Sequence, residues 1–223
     1  MAQVATHDDS PLVKPRLRGV SHQIAFFIAL AAGVLLVVGA PSSHAAFAAA
    51  IYGASLATLL GTSALYHRRN WSPSRREILR RFDHSAIFVL IAGSYTPACR
   101  LAMEPAEGHP LLIVIWSGAV AGIAISVGWP RAPRALKTLL YAALGWVGVV
   151  SAPALQRSMG TSGLVLFVGG GVIYSVGAVV YVKKRPNPWP ATFGYHEIFH
   201  LLVIAAATCH FVAFARFILK SPG

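Results

Sequence analysis

Long apolar stretches separated by short polar breaks constrain this chain more than any other feature of its sequence. A helix needs about 20 mostly apolar residues to cross the hydrocarbon layer of a membrane. Seven such stretches use most of the 223 residues, of which 56% are apolar and only 12% are charged. The sequence therefore predicts an all-α fold, an integral membrane bundle of seven transmembrane helices. The predicted spans are 20–40, 45–66, 82–102, 111–129, 136–154, 163–182 and 195–219, with a leading segment 1–19 and a short tail 220–223.

Positive charge alternates from one side of the predicted spans to the other. Fifteen of the 19 Lys and Arg residues lie in the leading segment or near the connections after the second, fourth and sixth spans. Because cytoplasmic loops carry an excess of Lys and Arg, this pattern places the N-terminus in the cytoplasm and the C-terminus outside. The chain is thus predicted to be a multi-pass protein of the plasma (inner) membrane. Its net charge of +12 follows from this topology and indicates no nucleic-acid partner.

The first apolar stretch also fits a second interpretation. Basic residues precede it and small residues follow it, which is the pattern of a cleaved signal peptide. An uncleaved first helix is favoured because it preserves the charge alternation. The only two cysteines, Cys99 and Cys209, are isolated in apolar surroundings, and their spacing indicates neither a disulfide framework nor a cysteine-based metal site.

Chemistry-bearing residues gather at one end of three predicted spans. Ser63 and His67 lie four residues apart at the end of the second span, so they share a helical face. His196 and His200 repeat this spacing at the start of the seventh span. Asp83 opens the third span and is its only carboxylate. Since the topology assigns all three helix ends to the cytoplasmic side, we expect these five side chains to meet.

Such a meeting predicts a metal site. Ionisable groups at membrane depth are costly, so they tend to line cavities or bind a ligand. Two imidazoles from one helix and a third from another give three protein ligands and leave one open position, which is the arrangement of catalytic zinc. We therefore predict His67, His196 and His200 as metal ligands, with a zinc ion as the cofactor.

The remaining ionisable groups near the spans are predicted to have other roles. His210 lies 14 residues beyond His196, about 21 Å along a helix, and is expected to form an interhelical hydrogen bond. Glu197 is predicted to lie at the level of the lipid headgroups, turned away from the histidine face. Four histidines at span ends or in loops are predicted to have no comparable partners: His7, His22, His44 and His109.

Three motifs, in this order, resemble the hemolysin III and progestin and adipoQ receptor family of seven-helix membrane proteins. They are Ser63-Ala-Leu-Tyr-His67, then Arg81-Phe-Asp83-His-Ser85 followed by Ala92-Gly-Ser-Tyr-Thr-Pro97, and Gly194-Tyr-His-Glu-Ile-Phe-His200 followed by His210-Phe. The similarity spans nearly the whole chain and is closest to the bacterial hemolysin III branch. It implies a cytoplasmic-side zinc site built from Ser63, Asp83, His67, His196 and His200. It also implies kinship with membrane-embedded hydrolases such as alkaline ceramidases.

The leading hypothesis is a zinc-dependent, ceramidase-like hydrolase that cleaves an amide or ester bond of a membrane lipid. Zinc lowers the pKa of a bound water to about 7 and so yields a nucleophile at neutral pH. Asp83 is predicted to orient that water or accept its proton. Ser63 is predicted to bond the developing oxyanion or to hold Asp83 in place.

Other functions stay open at this stage. The metal can be a structural staple between the second and seventh spans, with Asp83 neutralising charge. A cytolysin is suggested by the family name, although the predicted spans lack the polar rings expected along a pore. A receptor is suggested by the eukaryotic relatives, although no sizeable domain flanks the spans. A bis-histidine haem is disfavoured by the third histidine and the aspartate.

Overall fold

The computed structural model describes residues 14–218, with side-chain surroundings through Arg216, and the regular elements of this part of the chain are helices. The leading residues 1–13, with His7, and the predicted tail 220–223 lie outside the described residues. The helices are α1 Val20–Val38, α2 Ser43–Arg68, α3 Pro73–Leu101, α4 Pro105–Gly128, α5 Arg134–Trp146, α6 Ala152–Lys183 and α7 Tyr195–Ala213. A 3₁₀ segment, Val147–Ser151, joins α5 to α6, and a π-helical turn, Phe214–Ile218, follows α7.

Apolar length and outward exposure mark the molecule as a multi-pass membrane protein. Within the described residues, five helical segments are long and apolar enough to cross a membrane: Val20–Val38, Ser43–Arg68, Pro105–Gly128, Arg134–Lys183 and Tyr195–Arg216. Large apolar side chains on these segments face outward, as Leu35 does with 71% of its surface exposed. Such exposure suits a lipid environment. The all-helical membrane class predicted from sequence is therefore confirmed.

Some helices extend beyond the predicted spans, because polar sequence marks the end of a span and not the end of a helix. α3 begins at Pro73, nine residues before the predicted start of the third span, and a proline suits the first turn of a helix. The predicted break between residues 154 and 163 contains a kink that separates two helical parts of α6. Here α6 bends at Gly160, whose φ of 65° and ψ of −177° suit glycine alone. The chain reverses its direction here, since Arg134 at the start of α5 donates a hydrogen bond of 3.4 Å to the carbonyl oxygen of Tyr181 near the end of α6.

The packing of α2, α3 and α7 brings the predicted site residues together. Helices α1 to α4 pack in chain order, α6 packs on α7, and α7 also contacts α1. The main core includes Tyr52, Leu60 and Leu90, which are at most 4% exposed, together with Phe167 and Phe214. The Tyr52 hydroxyl donates a hydrogen bond of 3.3 Å to the carbonyl oxygen of Ala207, which joins α2 to α7. This bond holds the two helices together well inside the bundle.

Candidate metal centre

Three histidines meet where α2 ends and α7 begins, and we call this end of the bundle, at which α3 and α5 also begin, the basic end. One ligand nitrogen from each of His67, His196 and His200 lies within 4.8 Å of the other two. The Nε2 atoms of His67 and His196 are 3.1 Å apart. His67 and His200 are buried, and His196 is partly buried. The predicted convergence of these three side chains is confirmed, and their spacing suits one shared metal ion.

Asp83 and Ser63 lie beside this histidine cluster, as the sequence predicted. The Asp83 Oδ2 atom is 3.7 Å from Nε2 of His67, and its side chain is 16% exposed. Ser63 is buried, with 3% of its surface exposed. Both residues line the same cavity as His67 and His196. An acid and a hydroxyl therefore face the space next to the imidazoles.

His22 also reaches the histidine cluster, which its sequence position did not indicate. It was expected to have no comparable partner, yet it is buried on α1 and its ring stacks on that of His200 at 3.8 Å, with 8° between the planes. Its Nδ1 atom lies 2.8 Å from the Ser63 hydroxyl. The prediction for His22 was therefore wrong. The available signal was the basic segment before His22. Its charge places the start of α1 at the same end of the bundle as the histidine cluster.

Gly19 explains how α1 comes so close to the cluster. Its φ of 77° lies in the left-handed region, where side chains with a Cβ are strained. A Cβ atom at this position would also lie only 2.7 Å from Cβ of His67. Glycine is thus needed at this position for two reasons: the backbone turn and the close contact with α2.

A buried ion pair fastens the same corner. The Arg18 Nε atom lies 2.5 Å from Oε1 of Glu197, whose side chain is only 4% exposed. The Oε2 atom of Glu197 accepts a hydrogen bond of 2.8 Å from the backbone N–H of Gly194, which caps α7. The carboxylate predicted to lie at the level of the lipid headgroups is buried in this ion pair. Glu197 is turned from the histidines, as expected, but it ties the start of α7 to the segment before α1.

The leading segment adds backbone contacts across this end. The N–H groups of Arg16 and Leu17 donate to the carbonyl oxygens of Ala191 and Thr192, both at 3.1 Å. Burial, followed by the charges of nearby arginines, lowers the pKa of Lys14 in this segment. Burial is the larger cause of this shift, and the nearby arginines add positive charge at the basic end.

A cavity of about 1160 Å³ connects the basic end to the middle of the bundle. His67, Asp83 and His196 line it near the basic end, and Phe167, Val203 and His210 line it further in. This volume exceeds the range of about 300–1,000 Å³ that is common for sites of drug-sized ligands. The cavity can therefore hold a molecule with both a polar part and a long apolar part next to the histidines.

The other histidines of the described region lie outside the cluster. His210 Nε2 is 3.0 Å from the carbonyl oxygen of Phe167, which confirms the interhelical hydrogen bond expected from the sequence. His84 Nδ1 is 3.4 Å from the Tyr141 hydroxyl on α5. Cys99 and Cys209 are free thiols, as expected. Among the described residues, His67, His196 and His200 are the group whose ligand atoms converge as a metal site requires.

Comparisons with known proteins agree with this architecture. A family model described as Haemolysin-III related matches residues 11–211. The chain is 30% identical over 206 residues to the hemolysin-3 homolog of Bacillus subtilis (strain 168), which covers 91% of this chain and 93% of that protein. It is 30% identical over 205 residues to hemolysin-3 of Bacillus cereus, covering 91% and 90%. It is also 33% identical over 173 residues to the heptahelical transmembrane protein ADIPOR2 of Oryza sativa subsp. japonica, covering 70% and 75%.

Proposed function

The chain belongs to the haemolysin III-related family of membrane proteins, and we propose that it is a zinc-dependent hydrolase of amide or ester bonds in membrane lipids. One observation carries this proposal. Three histidine nitrogens converge within 4.8 Å of one another, beside a carboxylate, at the wall of a large and mostly apolar cavity.

The proposal includes seven membrane spans with the basic end in the cytoplasm. Fifteen of the 19 Lys and Arg residues lie at or near this end, which is the charge asymmetry typical of cytoplasmic loops. One relative carries the word heptahelical in its name. On this topology the histidine cluster lies near the inner leaflet of the plasma membrane, where a lipid can reach it.

The histidine cluster fits zinc in both distance and donor type. Zinc–nitrogen bonds of about 2.0–2.1 Å in a tetrahedral site place two ligand nitrogens roughly 3.4 Å apart. The 3.1 Å between the Nε2 atoms of His67 and His196 is close to this value. A nitrogen of His200 also lies within 4.8 Å of both, a convergence that a hydrogen bond between two rings does not require.

The chain's own residues can perform the proton transfers of hydrolysis. A zinc ion held by His67, His196 and His200 would supply a Lewis acid and lower the pKa of water at this point. Asp83 faces the same space and can accept a proton from the attacking water, then return it to the departing amine or alcohol. The Ser63 hydroxyl can donate a hydrogen bond to the oxyanion that develops on the carbonyl. The contact with His22 fixes the orientation of that hydroxyl.

The main alternative is a structural metal. His67 comes from α2, and His196 and His200 come from α7, so an ion bound here would join two helix ends without turnover. The Arg18–Glu197 pair already joins α7 to the segment before α1 at the same corner.

The names of the Bacillus relatives favour a third function, a cytolysin. The broad apolar lining of the cavity favours a lipid substrate over a conducting pore.

Hydrolysis can be tested with the purified protein and a lipid extract. We expect about one zinc per chain in the wild type, and release of a fatty acid that Asp83→Asn lowers roughly 100-fold or more, because general acid–base catalysis contributes at least that much. Glu104→Gln, which removes an exposed carboxylate at the other end of the bundle, serves as the matched control.

Three outcomes would decide between the alternatives. A wild-type protein without stoichiometric zinc would end the hydrolase proposal. Retained zinc with identical lipid products in wild type and Asp83→Asn would favour the structural metal. Dye release from liposomes that persists when all three histidines are replaced would favour the cytolysin.

A further inference from the structure

Unpaired positive charge lines the cavity at the basic end. Five basic side chains there have no carboxylate within ion-pair distance among the described residues. Asp83 is the one carboxylate that lines the cavity in this part of the chain. We name the five residues the basic rim: Lys14, Arg69, Arg76, Arg134 and Lys137. The rim therefore carries several positive charges that the described protein groups do not balance.

Lys137 is the most informative member of the basic rim. Only 5% of its surface is exposed, and its ammonium group donates one hydrogen bond of 2.9 Å to the neutral carbonyl oxygen of Pro130. A buried charge is costly unless it is paired. A preference for basic residues in cytoplasmic connections explains why a lysine lies near this end, but not why it is buried against a cavity without a counter-charge.

Two helix N-termini add to the same positive potential. The first turns of α3 and α5 contain no acidic residue, although acids are the usual stabilising residues at this position. Arg76 lies in the first turns of α3, and Arg134 and Lys137 lie in those of α5. Cations at the positive end of a helix dipole are unfavourable, and an anion placed there would interact with both the dipole and the side chains.

We propose that the cavity binds a lipid with a phosphate headgroup, the phosphate at the basic rim and the acyl chain directed past the histidines toward His210. Guanidinium and ammonium groups are the side chains that recognise phosphate. The cavity wall extends from His196 to His210, about 21 Å along α7, which gives room for an acyl chain. The histidines and Asp83 then lie beside the bond that joins chain to headgroup.

This inference deepens the proposed function, since it names the class of lipid substrate, but it can be tested by binding alone. The full-length protein is placed in micelles of a maltoside detergent, which carries no phosphate, and titrated with lysophosphatidylglycerol or with a monoacylglycerol of the same chain. We expect the phosphate-bearing probe to bind about tenfold or more tightly, because charge-assisted hydrogen bonds are stronger than neutral ones. Inorganic phosphate alone should bind far more weakly than the lipid probe.

Matched variants separate the basic rim from general surface charge. Arg76→Gln is expected to weaken binding of lysophosphatidylglycerol several-fold, and Arg75→Gln, one residue away on α3 but not at the cavity, should leave binding unchanged. Lys137→Gln is compared with Arg131→Gln in the same way. If Lys137→Gln fails to fold, the pair on α3 still decides the matter.

The result can fail in ways that do not involve hydrolysis. Equal affinity for the two lipid probes would overturn the proposal, as would equal losses for Arg75→Gln and Arg76→Gln. Binding of inorganic phosphate as tight as that of the lipid would show an anion site without a lipid partner. A headgroup preference that persists in Asp83→Asn supports the inference whether or not turnover occurs. Hydrolysis of lipids without any headgroup preference would leave the proposed function intact and end this inference.

Discussion

Two regions of α7 bury a histidine, and the neighbours of each ring distinguish them. Around His200, the ring of His22 stacks at 3.8 Å, and the ring centres of His67 and His196 lie 5.1 and 4.6 Å away. Around His210, ten residues further along, the neighbours are the ring of Phe167 at 4.8 Å and the Phe167 carbonyl oxygen. Burial alone therefore does not indicate a metal ligand. His200 is a candidate ligand because two further imidazoles each offer a nitrogen within 4.8 Å.

The largest expected effect comes from exchanging these two histidines for alanine. His200→Ala should reduce the zinc content from about one per chain to nearly none, because two remaining histidines do not complete a three-ligand site. His210→Ala should keep its zinc. Metal analysis of both purified variants measures the difference.

The His210 variant is also expected to lose stability, which separates a packing role from a binding role. Removal of a buried ring and its hydrogen bond should lower the free energy of unfolding by about 2 kcal/mol. Thermal unfolding in detergent reports this loss. Equal zinc contents in the two alanine variants would contradict the distinction between the two regions.

The sequence predicted the histidine region well because helical spacing and charge alternation both act on it. His67, His196 and His200 could be placed at one end of the bundle from these two patterns alone. His22 and Glu197 could not be placed correctly, because their surroundings depend on the path of residues 14–19. That path is set by the positive φ of Gly19 and by backbone hydrogen bonds to the loop before α7.

The break inside α6 shows what composition alone could predict. A polar stretch between residues 154 and 163 predicted a break between two spans, and the chain kinks at Gly160 within this stretch. Gln156, Arg157 and Ser158 are compatible with a helix, and they are helical in the structure. Composition therefore predicted the break but not the residue at which the helix is interrupted.

A smaller effect is expected from His22, which supports the cluster without belonging to the predicted ligand set. His22→Ala should lower zinc affinity about 10- to 100-fold, the usual cost of losing a residue that orients a metal ligand. The reason is that His200 loses its stacked neighbour and Ser63 loses its hydrogen-bond partner. Competition with a calibrated zinc chelator measures the affinity.

His44→Ala is the matched control for this change, since His44 is an exposed histidine at the start of α2, at the other end of the same helix from His67. It should bind zinc as the wild type does. An unaltered affinity in His22→Ala would show that the stack and the hydrogen bond do not orient the site.

The smallest effect compares two glycines that share a left-handed φ and differ in what they touch. Gly19→Ala and Gly160→Ala should each lower the free energy of unfolding by about 1–2 kcal/mol, because a Cβ atom is strained at these backbone angles. A Cβ at Gly160 meets nothing within 4 Å, whereas one at Gly19 meets His67. Only Gly19→Ala should therefore weaken zinc binding as well, since the new methyl group must displace the His67 side chain or the start of α1. Loss of zinc affinity in both variants would mean that the site depends on the stability of the whole bundle, and the two regions of α7 would then no longer be independent.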